Sequence, residues 1–325
     1  MNGGSISLAL LYGAEQSHAA SELLNQAWSP PAIHYTPTYL EWQRTFPAPW
    51  PLPAVAAFDG HTLVGFAGTT ARRVHHGNET CCTIIVSFVA VKPDRQKLGI
   101  ASALYDTLLA ALCDLRAPVI TFAVPGSSGE RVLQQAYVRA GFAIRPFGDY
   151  PSYMAMPAAL AEPGDWEAAV AEPVDLLPQI AARCAEDRTM VWSAPDLAQI
   201  VHYARDPRRR AFVVLRKQGG ACTGGAFVVQ AELRTAQGLQ IVPTVESVFL
   251  RRDESAALPV LFQEAARCGA PASRKPLISA PNLSAFDPAS LQRSRIRKVG
   301  PGFRGYVCAL TPPFQDAQAT TAEIV

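Results

Sequence analysis

The stretch "VSFVAVKPDRQKLGIASALYDTLLAAL", residues 86–112, runs from an apolar strand-like segment through a polar turn into an amphipathic pattern. Leu104, Leu108, Leu112 and Leu115 fall on one helical stripe, with Asp106 and Asp114 off it. The turn holds one glycine, Gly99, and a small residue, Ala101, just inside the helix. A helix that opens at a glycine turn presents unpaired backbone N–H groups and the positive end of its dipole. A pyrophosphate placed there collects several hydrogen bonds without a lysine. The segment is not a P-loop, since no Gly-Lys-Ser/Thr follows. It is not a dinucleotide fingerprint either, because two of that motif's three glycines are absent.

Outward from this point the first half reads as alternating elements. Residues 16–28 place Ala20, Leu23, Leu24 and Ala27 at helical spacing, and a short helix is expected around Tyr39 to Arg44. "AVAAFDG", "LVGFAGTTARRVHH" and "CCTIIVSFVAV" are strands, the first two joined through Asp59-Gly60-His61 as a hairpin. "PVITFAV" is a strand, "SGERVLQQAYVRA" a helix closed by Gly141, and "FAIRPFGDYPSYMAMP" a strand pair.

With Val89-Ala90-Val91-Lys92-Pro93 before it and Ala103-Leu104-Tyr105 after it, Gln96-Lys97-Leu98-Gly99-Ile100-Ala101 resembles the signature of the GNAT acyltransferase superfamily. That signature is Gln or Arg, two residues, Gly, one residue, Gly or Ala. Downstream, Tyr137-Val138-Arg139-Ala140-Gly141-Phe142 resembles the family's later helix ending in Tyr-x-x-x-Gly-Phe. The resemblance covers roughly residues 5–156. It implies an α/β fold whose mixed, mostly antiparallel sheet is flanked by helices. It also implies that Gln96 to Ser102 hold the pyrophosphate of acetyl-CoA, or of another acyl-CoA, with no metal. Backbone groups of Val89, Ala90 and Val91 would hold the pantetheine.

A Pro-containing segment with small and acidic residues, "AALAEPGDWEAAVAEPVD", reads as a linker, and the element order then repeats. Helices are expected over 176–186 and 193–207, strands over 211–220, 221–233 and 239–250, and a helix over 255–269. A strand at 276–281, a basic helix over 287–300, a strand at 303–310 and a frayed tail follow. Two GNAT-like domains, 1–160 and 161–325, are expected. The second is a degenerate copy, because "FLRRDESAALPVLF" has no glycine where the turn should be.

The chain has 325 residues, 49% hydrophobic and 17% charged, enough to bury a substantial core. A net charge of +2 gives no broad footprint for nucleic acid or an anionic membrane. Seven cysteines without metal-ligand spacing favour a reducing compartment. No apolar run approaches the ~20 residues that span a bilayer. The N-terminus lacks a signal-peptide pattern, so a cytoplasmic protein is expected. Oligomeric state is not legible here.

The family reaction is attack of an amine on an acyl thioester. Backbone N–H groups near Val89 would polarise the carbonyl, and the phenol of Tyr137 would protonate the leaving thiolate. Tyr137 can equally be a core residue. Thr83 to Val91 has no carboxylate, and Ser87 is the polar residue in its middle, so the base is left open between water, a group from another segment such as His75 or Glu79, and no dedicated base at all. Tyr39 and Trp42 pack a helix onto the sheet or wall a pocket. Arg208-Arg209-Arg210 reads as a solvated turn, and Arg293, Arg295, Arg297 and Lys298 as a basic helical patch. The expected activity is N-acylation of a primary amine on a small-molecule acceptor. The alternatives are a non-catalytic acyl-CoA sensor and a tRNA-dependent aminoacyl transferase of similar tandem fold.

Overall fold

The computed structural model describes residues 6–309 apart from 77–78, 116, 157–158, 161, 163, 174–175, 177–178, 180–196, 218, 221, 270–277, 281–282 and 284–285. The elements of the first half are β1 (Ile6–Tyr12), α1 (Ser17–Ala27), β2 (Ala32–Ile33), α2 (Pro37–Arg44), β3 (Pro53–Asp59), β4 (Thr62–His76) and β5 (Glu79–Val91). They continue with α3 (Ile100–Leu115), β6 (Val119–Ala123), α4 (Ser128–Arg139) and β7 (Ala143–Ala155). The second half adds β8 (Trp166–Ala171), α5 (Leu197–Ala204), β9 (Arg209–Lys217), β10 (Cys222–Thr235) and β11 (Gly238–Phe249). It closes with α6 (Leu258–Gly269), β12 (Ile278–Ala280), α7 (Pro288–Arg293) and β13 (Arg297–Ala309).

The strands form one 13-stranded sheet in the order β1-β3-β4-β5-β6-β13-β7-β12-β11-β10-β9-β8, with β2 pairing β10 off this path. All pairs are antiparallel except β5–β6 and β11–β12. Reading inward from either edge gives the same order, and the two long strands β7 and β13 meet in the middle. Each lies where the other half's sheet needs a strand. The C-terminal part of β13 (Arg304–Cys308) pairs β6, while the end of β7 (Tyr153–Ala155) pairs β12.

Two register shifts let these strands cross. Pro146 sits at one and Pro151 at the other, where a missing N–H costs no ladder bond. Gly302 has φ 66, and a Cβ there would lie 2.5 Å from the Tyr150 carbonyl oxygen, so no other residue fits. One continuous strand therefore replaces the strand pair expected over 142–157.

Three other expectations are corrected. The linker holds an edge strand, β8, whose Trp166 is buried while Glu167, Ala169 and Val170 face solvent. The basic segment is helical only over Pro288–Arg293, and Arg297 and Lys298 belong to β13. Arg208 is a half-buried ion-paired residue, and Arg209 opens β9. Strand β1 was missed because its alternation is weak on an edge, where Leu8, Leu10 and Tyr12 stay exposed. Most of the helix expected over 176–186, and the tail, lie outside the described residues.

Helices α3 and α4 cover one apolar cluster in which Leu104, Leu108 and Leu112 are fully buried, as their stripe requires. Helix α6 covers the matching cluster of the second half. Cys82, Cys113, Cys222, Cys268 and Cys308 are free thiols. Among the described residues no helix is long and apolar enough to cross a membrane.

Candidate functional site

Strand β5 is bulged where the quoted stretch begins. Ala90 pairs Phe66 and Ser87 pairs Gly68, so Phe88 and Val89 together oppose Ala67. Phe88 takes φ 55, an uncommon conformation for a bulky residue, and its ring packs on Tyr35 at 5.8 Å. β5 pairs β6 only through Ile84–Val86, and the two strands part beyond the bulge. The backbone of Val89, Ala90 and Val91 therefore borders an opening between two parallel strands.

The opening leads to the turn before α3. A short 3-10 turn at Pro93–Arg95 is tied to the end of β3 by Arg95 and Asp59 at 2.7 Å. The Gln96 side chain donates back to the Val91 carbonyl at 3.3 Å. Lys97 and Gly99 both adopt left-handed backbone, φ 65 and 82, and Gln96 to Gly99 are exposed. A Cβ at Gly99 would meet nothing within 4 Å, so the space beside it is open. The first amides of α3, from Ile100 through Ser102, have no carbonyl one turn back to bond. Arg139 of α4 bonds the Ser102 hydroxyl at 2.6 Å and Asp106 at 2.8 Å, holding the first turn of α3 in place. The turn can take a diphosphate on backbone N–H groups.

The Tyr137 ring lies 6.3 Å from that of Tyr105 on α3. Both belong to the apolar core of the first half, which also takes in Val86, Ile100 and Leu104 and against which Val89 and Val91 pack. The Tyr-x-x-x-Gly-Phe motif ends α4 as a Schellman cap. Phe142 N–H bonds the Tyr137 carbonyl at 3.0 Å, Gly141 N–H bonds the Val138 carbonyl at 3.1 Å, and the Tyr137 and Phe142 rings meet at 5.4 Å.

The cap accounts for the ring but not for the hydroxyl. That group is fully buried with no hydrogen-bond partner, and Thr121 of β6 acts on it without a bond of ordinary geometry. Burial above all, then Cys308 and Tyr105, hold its pKa well above the usual phenol value. Tyr137 therefore keeps its proton at physiological pH.

A second set of side chains borders the bulge from the α2 side. Arg72 is fully buried and donates to Thr70 Oγ1 (2.8 Å), the Ala71 carbonyl (2.7 Å) and Gln43 Oε1 (2.6 Å). Gln43 donates in turn to the Tyr39 hydroxyl at 2.7 Å. Trp42 stacks on His202 of α5 at 4.6 Å, and the Arg208 guanidinium lies 3.9 Å over the Tyr39 ring. The segment carrying Tyr35 is pinned from the second half: β2 pairs β10, His34 meets Glu232 at 2.6 Å, and Arg234 bonds the Trp28 carbonyl at 2.5 Å. Sequence reading reached Tyr39 and Trp42 but missed Tyr35, Gln43 and Arg72. The arginine in an otherwise apolar strand was the available signal.

The second half repeats the bulge and lacks the cradle. Phe227 pairs Glu246 and Gly225 pairs Phe249, so Glu246 holds the register place of Ser87. Its carboxyl is bound at 3.0 Å by Arg208, which also binds Asp206. Where the first half has its glycine turn, the second has a 3-10 turn over Arg252–Ala257 without a glycine, in which Asp253 pairs with Arg251 at 3.1 Å and Glu254 is buried. The side chains of His75 and Glu79 lie outside the described residues. No group of three or more metal-ligating side chains occurs among the described residues.

Residues 12–130 match the family model of the acetyltransferase (GNAT) domain. No curated protein matches the sequence. Among solved structures, the fold is similar to a tandem GNAT protein from the clavulanic acid biosynthesis pathway, with TM-score 0.60 and 15% identity over 94% of this chain and 98% of that one. It is also similar to a GCN5-related N-acetyltransferase from Sphaerobacter thermophilus, with TM-score 0.57 and 14% identity over 93% and 94% of the two chains. A probable N-acyltransferase from Enterococcus faecalis V583 gives 0.56 and 13% over 93% and 72%. At these identities the structures establish the fold alone: a large, mostly antiparallel sheet flanked by helices, similar to that of a tandem GNAT protein.

Proposed function

We propose that this chain, whose residues 12–130 match the model of the acetyltransferase (GNAT) domain, transfers an acetyl or other short acyl group from acyl-CoA to the primary amine of a small molecule. In this reading residues 1–160 are the acyl-CoA-binding unit and 161–325 a degenerate partner. A cytoplasmic location belongs to the same reading and is supported by the free thiols. The observation that carries the proposal is the partnerless hydroxyl of Tyr137, buried in the cluster that also holds the bulged strand and the first turn of α3.

The cradle fits a CoA pyrophosphate, since Gly99 leaves its surroundings open and α3 starts there. Bound acyl-CoA supplies the activated thioester. The backbone amides of the bulge near Val89 point a dipole at the acyl oxygen. Tyr137 gives its proton to the departing sulfur as the carbon–sulfur bond breaks and the nitrogen–carbon bond forms. The proton lost by the amine returns to Tyr137 through water, so the chain ends unchanged. Strand β5 carries no carboxylate from Thr83 to Val91, and the amine then arrives neutral or loses its proton to water. The clamped segment around Tyr35, with Tyr39 and Trp42, forms the acceptor wall.

One specific observation favours a sensor instead: the helix cap explains the Tyr137 ring without chemistry. Release of free thiol from acetyl-CoA, measured against amino sugars, amino acids, aminoglycosides and a peptide N-terminus, separates the two. An enzyme accelerates release with at least one amine, whereas tight acetyl-CoA binding with no turnover across the panel supports the sensor.

A further inference from the structure

The last strand of the chain runs under the helix that carries Tyr137. Glu130, Gln134 and Tyr137 lie on one face of α4, at the i, i+4, i+7 spacing that stacks side chains along a helix. On β13, Tyr306 and Cys308 point to the same face of the sheet, opposite Thr121 and Val119 of β6. Both are buried. The Tyr306 hydroxyl donates a short bond to the Glu130 carboxylate and accepts from Gln134 Nε2 at 3.2 Å. Cys308, two residues on, is buried in the same apolar cluster as Tyr137. The strand thus meets α4 with Tyr306 on its first two turns and Cys308 in the cluster that holds Tyr137.

Leu133 and Ala136 of α4 are buried in the apolar cluster, where contacts are non-directional. Arg139 ties the end of the helix to Ser102 and Asp106 of α3 from the exposed side. Glu130 is fixed at both carboxylate oxygens, by Tyr306 on one and by the Gly126 N–H at 2.6 Å on the other. Its own N–H caps onto Ser127 at 3.1 Å. A rotation of ~10° about the helix axis would carry a tyrosine hydroxyl, roughly 9 Å out, by about 1.5 Å. Displacements of that size at a reacting group cost on the order of a hundredfold in rate.

We infer that Tyr306, supplied by the C-terminal half, is a positioning residue for acyl transfer: it locks α4 through Glu130 and Gln134 and so aims the hydroxyl of Tyr137. The inference rests on Tyr137 being the proton donor. It gives the degenerate half a part in the chemistry of the other, since the acid's floor is built from its last strand.

The test compares Tyr306→Phe, Tyr137→Phe and the double variant in the full chain. In protein labelled at the tyrosine ring carbons and free of CoA, the Tyr137 resonance is the one lost in Tyr137→Phe. It should shift in Tyr306→Phe, and an unmoved resonance overturns the inference whether or not turnover is measurable. With acetyl-CoA alone and water as acceptor, thiol release should fall about tenfold in Tyr306→Phe at unchanged KM, with no further loss when the change is added to Tyr137→Phe. An equal loss in both backgrounds marks a merely structural role and also overturns it. Full turnover in Tyr137→Phe refutes the donor reading itself, a separate outcome. Should Tyr306→Phe fail to fold, Gln134→Met removes one partner of Tyr306 and must move the same resonance.

Discussion

The ring of Tyr137 closes α4 against Phe142, while its hydroxyl is buried without a hydrogen bond of ordinary geometry, Thr121 being its polar neighbour. A buried hydroxyl left without a partner costs about 1–3 kcal/mol, so a residue kept only for packing would be better as phenylalanine. Tyr137→Phe keeps the cap contact and removes that cost. The expected outcome is a melting temperature equal to or above the parent's, together with a loss of kcat of about a hundredfold. Thermal unfolding and turnover of the same preparation check it, and a silent change in kcat removes Tyr137 from the mechanism. The six-residue motif was legible in the sequence because a Schellman cap is local and its spacing is fixed by backbone bonds. The state of the hydroxyl was not, because it depends on Thr121 and on Cys308 from far along the chain.

Among the elements, the seam between α2 and α5 carries the sharpest electrostatic signature. The His202 imidazole stacks on Trp42 and packs against Phe46 and Tyr203, with one ring nitrogen buried and without a partner. Burial first, then the Arg72 and Arg205 cations, push its pKa down to about 3. The unfolded chain, with an ordinary histidine near 6.5, takes up the proton first as pH falls. Stability from this group is complete above pH ~6.5 and is lost between there and about 3, at up to ~1.4 kcal/mol per pH unit. Denaturant titrations over that range should show the decline in the parent. In His202→Phe, which keeps the stack on Trp42, that component should be absent. An identical pH dependence in both proteins would contradict the burial argument.

The sequence-level errors also belong to this scale. Proline made β7 look broken and the segment before β8 look like a linker, because a bulge and a sheet edge tolerate what a central ladder does not. The basic run over 287–300 was read as one helix, although α7 stops at Arg293 and the chain re-enters the sheet at Arg297.

At the scale of the whole molecule, the repeated element order was visible in the sequence, but the exchange of β7 and β13 was not. Each strand's alternation states only that one face is buried, and nothing local says which neighbour it joins. The two halves share one sheet, the second clamps the segment bearing Tyr35, and its last strand pairs β6 of the first. The first half has a glycine turn at the start of α3, and at the matching place before α6 the second has Asp253 and Glu254.

The central claim is therefore one acyl-CoA site per chain, at Gly99. Calorimetric titration of acetyl-CoA into the parent, Gly99→Val and Gly238→Val tests it most directly. Gly238 also has positive φ and open surroundings, in the β10–β11 hairpin of the second half, so it controls for strain. The account predicts one molecule bound per chain, a loss of tenfold or more (about 1.4 kcal/mol) in Gly99→Val, and parental affinity in Gly238→Val. Two sites per chain, or unchanged affinity in a folded Gly99→Val protein, would contradict it.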